Sequence, residues 1–169
     1  MKVLLTGGAG FIGSHVLERL LTRGDEVVVV DQLTDYYDPA LKRANLDAAR
    51  KVGAFTFVQR DIVSGLRDLL PADVVVHLAA RANARVSLDE PEIYHRVNVD
   101  GTLRLLEDAR DAGVKRFVFA SSSSVYGNAP VPFREEAGPL EPLAPYGATK
   151  LIAENYVHVY ARIHGIRST

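Results

Sequence analysis

The sequence predicts an α/β protein in which a doubly wound parallel sheet lies between two helical layers, a three-layer αβα arrangement. Short β-branched apolar runs alternate with longer segments whose apolar residues recur three and four positions apart. This alternation is typical of βαβ units, whose crossover helices cover both faces of a parallel sheet. Since 47% of the 169 residues are hydrophobic, we expect one domain over 1–169.

Five apolar runs are predicted to be strands and four periodic segments to be helices. The strands are Lys2–Thr6, Glu26–Asp31, Phe55–Arg60, Asp73–Leu78 and Arg116–Ser121. The helices are Phe11–Arg23, Pro39–Lys51, Pro91–Ala112 and Pro145–His164. Prolines suit the first turn of the second and fourth helices, and Gly113 and Gly165 suit helix ends. Ser122–Leu143, rich in proline and glycine, is predicted to be a long functional loop.

Bulk properties weigh against several function classes. A net charge of -1 and a pI near 6.5 provide no basic field for a nucleic acid or an anionic membrane surface. No segment approaches the roughly 20 apolar residues that cross a bilayer. Without cysteine there is no disulfide or catalytic thiol, and the five histidines lack metal-ligand spacing. We therefore expect a cytoplasmic protein without a metal.

A glycine-rich turn joins the first strand to the first helix. Its glycines are Gly7, Gly10 and Gly13, with Phe11 and Ile12 between the last two. Such spacing permits a tight turn, close approach of the backbone to a pyrophosphate, and close packing of helix on strand. Alone it is compatible with a flexible turn, but a strand before it and a helix after it favour dinucleotide binding.

Two acidic residues at strand ends extend this hypothesis. Asp31, after the second strand, can accept hydrogen bonds from an adenosine ribose and would repel a 2′-phosphate, which favours NAD over NADP. A solvated aspartate is the alternative for Asp31 alone. Asp61 and Ile62 follow the third strand. That the carboxylate meets the adenine amino group and the isoleucine covers a ring face is an assignment that depends on the family resemblance given below.

A tyrosine and a lysine open the last helix at a spacing that puts them on one face. Tyr146 and Lys150 are four residues apart, and a neighbouring ammonium favours the phenolate of a tyrosine. The pair alone is also compatible with a half-buried tyrosine beside an unrelated lysine. The serine run 121–124 after the fifth strand favours catalysis, because its hydroxyls can donate to a substrate oxygen.

Together these motifs resemble the extended short-chain dehydrogenase/reductase family, in its NAD-dependent epimerase/dehydratase branch. The resemblance covers essentially the whole chain, including His77-Leu78-Ala79-Ala80, Asn98-Val99-Asp100-Gly101-Thr102 and Ser122-Ser123-Ser124-Val125-Tyr126-Gly127. It implies a Rossmann fold with NAD as cofactor. Tyr146 would be the catalytic base, Lys150 would hold the nicotinamide ribose, and Ser122 would bond a sugar hydroxyl. The resemblance adds these cofactor contacts: Phe11, Ile12, Leu78, Ala79, Ala80 and Asn98.

The residues after Ser122 indicate which enzymes of the family the chain resembles. Dehydratases of the family typically carry an acidic residue in the next two positions, whereas Ser123 and Ser124 occupy them here. The chain therefore looks like a UDP-sugar 4-epimerase, of the UDP-glucuronate or UDP-glucose type, which oxidises C4 transiently and returns the hydride. Arg85 is a candidate for the substrate carboxylate or phosphate, with a surface ion pair as the alternative.

The family also implies a partner and a further domain. Helices Pro91–Ala112 and Pro145–His164 would pair with their copies in a homodimer, with packing inside a monomer as the alternative. Family members continue with a sixth strand, which should start at 165–169, and a substrate domain after it, so we expect a truncated form whose activity alone is doubtful. A non-catalytic NAD-binding module is the second hypothesis, and another dehydratase or reductase of the same family is a third.

Overall fold

The sheet of the computed structural model has six parallel strands within the described residues, 1–136 and 138–169. The strands are β1 (Lys2–Thr6), β2 (Glu26–Asp31), β3 (Thr56–Gln59), β4 (Val74–His77), β5 (Arg116–Phe119) and β6 (Arg167–Ser168). Their order is β3-β2-β1-β4-β5-β6, so the chain winds outward in both directions from β1. This order confirms the predicted doubly wound α/β fold. The predicted loop includes Ala137, which lies outside the described residues.

Helices cover both faces of the sheet. They are α1 (Phe11–Thr22), α2 (Pro39–Val52), α3 (Pro91–His95), α4 (Gly101–Asp111) and α5 (Pro145–His164). The predicted single helix Pro91–Ala112 is instead divided into α3 and α4 by a π-helical turn, Arg96–Asp100. The π turn was not predicted because hydrophobic spacing does not report one extra residue per turn, and such turns are frequent at functional sites.

The three layers follow from the alternation of side chains along β1. Val3 and Leu5 point to one face, where they join the buried side chains of α1 and α2. Leu4 points to the other face and packs with the buried side chains of α4 and α5. Every one of these three residues is fully buried. Both faces of the sheet are therefore core, as a parallel sheet requires.

The carboxyl end of the chain forms a sixth strand, at the place where the family resemblance has one begin but where no apolar run indicates it. Arg167 and Ser168 pair with Arg116 and Phe117 as β6, although the predicted sheet had five strands. Short strands carry too few residues to show a period of their own, so only pairing with β5 reveals them. β5 itself ends at Phe119, which leaves the serine run outside the sheet.

The carboxyl edge between β1 and β4 is where the winding direction changes. Thr6 pairs with Val30 on one side and with His77 on the other. The connections from these neighbouring strands leave toward opposite faces, so a crevice opens between them, and ligands of open α/β sheets bind at such a point.

Candidate active site

The glycine-rich turn is shaped by backbone contacts that no side chain would allow. Gly7 has φ +73°, and its N–H donates to the carbonyl of Val30 at 2.7 Å. A Cβ at Gly7 would lie 2.6 Å from the amide nitrogen of Ala79, and one at Gly13 would lie 2.1 Å from the carbonyl oxygen of Gly7. The turn therefore has to be glycine at both positions.

The first turn of α1 faces the crevice with backbone amides instead of side chains. Gly10 is the N-cap residue, and no side chain caps the helix. Phe11 and Ile12, predicted to contact the cofactor, have exposed side chains at 76% and 64%. Any contact they make with a phosphate would use their N–H groups, which the helix dipole makes attractive to anions.

A cleft of about 140 Å³ runs from the glycine-rich turn along the carboxyl edge of the sheet. It brings together most of the residues that the sequence predicted for the cofactor. Those lining it are Gly7, Gly10, Asp31, Asp61, Ile62, Leu78, Ala79 and Ala80. Lys42, Arg60, Arg81 and Val97 also line it and were not predicted. The cleft is the place where a dinucleotide would lie, and its lining combines backbone, carboxylates and apolar side chains.

Asp31 is held firmly at the floor of this cleft. Its carboxylate is buried and accepts hydrogen bonds from the N–H groups of Leu33 at 2.9 Å and Ala9 at 3.3 Å. The ammonium of Lys42 lies 3.4 Å from the same carboxylate. The bonds to Ala9 and Leu33 connect the glycine-rich turn to the loop after β2, so Asp31 also fixes the shape of the cleft.

Asp61 and Ile62 line the wall of the cleft and also make contacts that stabilise the fold. The carboxylate of Asp61 accepts the N–H of Val63 at 3.1 Å, which caps a short 3₁₀ turn. Ile62 is 4% exposed and packs against Gly101, where a Cβ would approach it to 2.7 Å. Adenine contact by either residue stays a prediction.

Asn98 lies behind the cleft wall and joins two segments of the chain through hydrogen bonds. Its amide group accepts the N–H of Arg81 at 2.8 Å and donates to the carbonyl of Arg81 at 2.9 Å. It also donates to the hydroxyl of Thr149 on α5 at 3.0 Å. The π turn that carries Asn98 therefore joins the loop after β4 to α5, and direct contact of Asn98 with a cofactor stays a prediction.

His77 is the centre of a buried hydrogen-bond chain that the sequence did not indicate. Its Nδ1 lies 2.7 Å from the Thr6 hydroxyl and its Nε2 lies 2.9 Å from the Thr102 hydroxyl. Because Thr102 donates to the carbonyl of Asn98, it must accept from Nε2–H, which fixes the tautomer. Burial is the largest cause, and the nearby Lys150 ammonium the second, of a pKa for His77 lowered to about 3. His77 is therefore neutral and links the sheet to the π turn.

Lys150 is buried beside the end of β5, where the strand leads into the serine run. Its side chain is 3% exposed, and its ammonium lies 4.2 Å from the ring centre of Phe119. Burial lowers the pKa of Lys150 to about 8, although the Glu154 carboxylate acts in the opposite direction. The ammonium stays mostly protonated at neutral pH and provides a positive charge in surroundings of low polarity.

Tyr146 begins the same helix and is fixed by its backbone. Its N–H donates to the Ser87 hydroxyl at 3.0 Å, and its carbonyl accepts from the Thr149 hydroxyl at 2.8 Å. Its half-buried ring packs edge-on against Tyr94 at 6.3 Å. Ser87 and Thr149 were missed by sequence reasoning because a lone serine or threonine carries no recognisable pattern.

The serine run reaches the helix through a close contact at Gly147. The hydroxyl of Ser122 accepts the N–H of Ser124 at 3.1 Å and caps a 3₁₀ turn, Ser123–Tyr126. A Cβ at Gly147 would lie 2.7 Å from the carbonyl oxygen of Ser124. The glycine after Tyr146 thus lets the serine run and the start of α5 touch. Of the predicted substrate residues, Ser123 and Arg85 are exposed, with Arg85 on the loop after β4.

A family model described as the NAD dependent epimerase/dehydratase family matches residues 3–169. The chain belongs to this family. Within it, the chain is 44% identical over 168 residues to a UDP-glucuronate 4-epimerase of Thermodesulfobacterium geofontis, covering 96% of this chain and 52% of that protein. It is 41% identical over 175 residues to UDP-glucuronate 4-epimerase 3 of Arabidopsis thaliana, covering 99% and 40%.

Solved structures of the epimerase/dehydratase family agree with this fold. The UDP-glucuronic acid 4-epimerase of Bacillus cereus, solved with UDP-glucuronic acid and NAD, superposes with a TM-score of 0.93 at 37% identity, covering 100% of this chain and 55% of that one. The chain spans about half the length of these relatives. The predicted family and Rossmann-type fold are thereby confirmed. The described residues include no helix long and apolar enough to cross a membrane.

Proposed function

We propose that this chain is the NAD-binding, catalytic part of a UDP-sugar 4-epimerase, with UDP-glucuronate as the preferred substrate. The observation that carries the proposal is that the helix with Tyr146 and Lys150 contacts the serine run and the end of β5, at the edge of the sheet that also holds the glycine-rich turn. Support for the substrate comes from the UDP-glucuronate 4-epimerases among its relatives, which are 44% and 41% identical to it.

The cleft has the features that NAD requires. The glycine-rich turn leaves space that a Cβ at Gly7 or Gly13 would fill, and the amides of α1 face that space. Asp31 offers carboxylate oxygens at the far end for ribose hydroxyls. When bound there, NAD would take a hydride from C4 of the sugar and return it.

Tyr146 and Lys150 would handle the proton of the C4 hydroxyl. Removing a proton from a substrate hydroxyl needs an acceptor within hydrogen-bond reach, and a positive charge nearby assists the transfer. Lys150 carries that charge below a pH of about 8 and lies one helical turn from Tyr146. Tyr146 would therefore accept the hydroxyl proton as the hydride leaves and give it back on reduction.

Ser122 is suited to hold the same sugar oxygen. Its oxygen accepts the N–H of Ser124, which leaves its own hydrogen free to donate. A donor placed there would stabilise the oxygen as its proton moves to Tyr146. Ser123 and Ser124 would add polar contacts to the sugar, and Arg85 would bind its carboxylate or a phosphate.

The serine run favours epimerisation over elimination of water. A dTDP-glucose 4,6-dehydratase of Streptomyces venezuelae has the same fold, with a TM-score of 0.87 at 38% identity, so the fold does not separate the two reactions. Elimination needs further acid and base groups at neighbouring carbons. Ser123 and Ser124 provide no carboxylic acid beside Ser122.

The test is turnover with NAD and each of UDP-glucuronate, UDP-glucose and UDP-xylose, with the epimers resolved by chromatography. Tyr146→Phe is expected to lose turnover while NAD binding, measured by calorimetry, is unchanged. The control is His158→Gln, at an exposed position on the same helix that lies outside the catalytic residues. Epimerisation by Tyr146→Phe would refute the mechanism. NAD binding without turnover by the wild-type chain would favour the alternative of a non-catalytic NAD-binding module.

A homodimer and a cytoplasmic location belong to the same proposal. Along α5 the side chains of Ile152, Tyr156, Val159 and Ile163 form an exposed apolar stripe at helical spacing. Such a stripe suits a helix that pairs with its copy. Light scattering is expected to give the dimer mass for the wild-type chain and the monomer mass for Val159→Glu. A monomeric wild-type chain would refute the pairing.

A further inference from the structure

A buried cation lies beside Asp31 in the proposed cofactor cleft. Lys42, in the first turns of α2, has its ammonium 3.4 Å from the Asp31 carboxylate and 3.3 Å from the Thr34 hydroxyl. The same ammonium lies 5.1 Å from the ring centre of Tyr37. The Lys42 side chain is 9% exposed and lines the cleft together with Asp31.

The fold does not need this lysine to satisfy Asp31. The carboxylate already accepts two backbone N–H groups, from Ala9 and Leu33. Removing an ammonium from water is costly, and Lys42 has one carboxylate, one hydroxyl and a ring face in return. A buried lysine that lines a ligand cleft beside a carboxylate is one of the few polar groups placed to contact the ligand there.

The two charges act in opposite directions on the adenosine ribose of a dinucleotide. A carboxylate accepts from the 2′-hydroxyl and repels a 2′-phosphate. An ammonium donates to a ribose oxygen and attracts a phosphate, because hydrogen bonds between charged groups are the stronger ones. Arg60 lines the same cleft, although its guanidinium binds the Asp68 carboxylate.

We propose that Lys42 sets cofactor selectivity together with Asp31: Lys42 binds the adenosine ribose, and the Asp31 carboxylate is what prevents it from binding a 2′-phosphate. This inference rests on the proposed NAD site. It assigns a role to Lys42, which belongs to neither the glycine-rich turn nor the Tyr146/Lys150 pair. A single neutralising change at Asp31 would then convert the cleft to NADP, because the cation is already in place.

Asp31→Asn is the first variant. The asparagine retains an oxygen that accepts from Leu33 or Ala9 and removes the negative charge. The ratio of NAD to NADP affinity is expected to fall by about 10- to 100-fold, the usual effect of one charge-assisted hydrogen bond. In Asp31→Asn combined with Lys42→Met, the gain in NADP affinity is expected to be lost.

Lys42→Met is the second variant and leaves Asp31 intact. The ammonium offsets part of the Asp31 charge that a 2′-phosphate would meet, whereas NAD loses only a hydrogen bond to an uncharged ribose. Lys42→Met is therefore expected to weaken binding of NADP more than binding of NAD and to raise the ratio of NAD to NADP affinity by about tenfold. Lys51→Met, an exposed lysine on the same helix, is the matched control and is expected to leave the ratio unchanged. Lys42→Met also decides the question if Asp31→Asn does not fold, as judged by circular dichroism.

The measurement is calorimetric binding of NAD and NADP to the wild-type chain and each variant, which needs no turnover. Opposite shifts of the ratio in Asp31→Asn and Lys42→Met are the expected result. If the wild-type chain binds NAD and both single variants keep its ratio, the inference is overturned and the proposed cofactor site stands. A wild-type chain that binds neither dinucleotide overturns both.

Discussion

Replacing Lys150 with methionine should stabilise the fold at neutral pH and remove part of its pH dependence. The ammonium of Lys150 is almost fully buried, and burial lowers its pKa from 10.5 to about 8. In the unfolded chain the ordinary value returns, so between pH 8 and 10.5 the unfolded state binds the extra proton. Stability of the wild-type chain therefore rises with pH across this window, and the penalty is complete below pH 8.

The size of the effect follows from the shift. A difference of about 2.5 pKa units corresponds to about 3 kcal/mol of lost stability at pH 7. By pH 9.5 the folded lysine is largely neutral, and about 2 kcal/mol of this loss should be regained. Methionine has no charge to bury, so Lys150→Met should lack this increase.

Urea unfolding at pH 7 and pH 9.5 measures the effect. The difference in unfolding free energy between the two pH values is compared between the wild-type chain and Lys150→Met, so that other titrating groups cancel. Exposed Lys51→Met is the control and should behave as the wild-type chain. Equal pH dependence in the wild-type chain and Lys150→Met would refute the reasoning. The expected result would show that the buried charge of Lys150, one helical turn from Tyr146, lowers the stability of the fold.

Three further predictions follow from the cleft and the hydrogen-bond chain. Gly13→Ala should abolish NAD binding in calorimetry because its Cβ would meet the Gly7 carbonyl at 2.1 Å, whereas Gly53→Ala, with ordinary contacts of 3.4 Å, should bind normally. His77→Gln should remove the loss of about 2–3 kcal/mol that the wild-type chain is expected to show on going from pH 7 to 4.5, because the unfolded chain binds a proton there that the buried imidazole does not bind. Urea unfolding at the two pH values tests this, and the same loss in His77→Gln would contradict it. Asn98→Ala should lower the unfolding free energy by about 2–4 kcal/mol because its partners at Arg81 and Thr149 lose buried hydrogen bonds. An unchanged midpoint of urea unfolding would show that these hydrogen bonds do not stabilise the fold.

Motifs local in the chain made much of the fold and of the site predictable. The alternation of apolar runs and helical periods was sufficient for the doubly wound sheet, because buried parallel strands and their crossover helices each have their own period. The glycine-rich turn, Asp31 and the Tyr146/Lys150 pair were recognisable for the same reason. Each is a short pattern whose residue types follow from one contact, such as a close backbone approach or a shared helix face.

Contacts between distant segments were decided only by the tertiary structure. No spacing in the sequence connects Thr6 to His77 or Asn98 to Thr149, since the partners in each pair are more than fifty residues apart and consist of common polar residues. Only the folded chain places Lys42, on α2, 3.4 Å from Asp31 at the end of β2. The sequence by itself therefore determined where the backbone can turn tightly and which reactive side chains the chain carries. Tertiary packing determined which neighbours surround those reactive groups and so set their protonation and position, because these neighbours come together only when the chain folds.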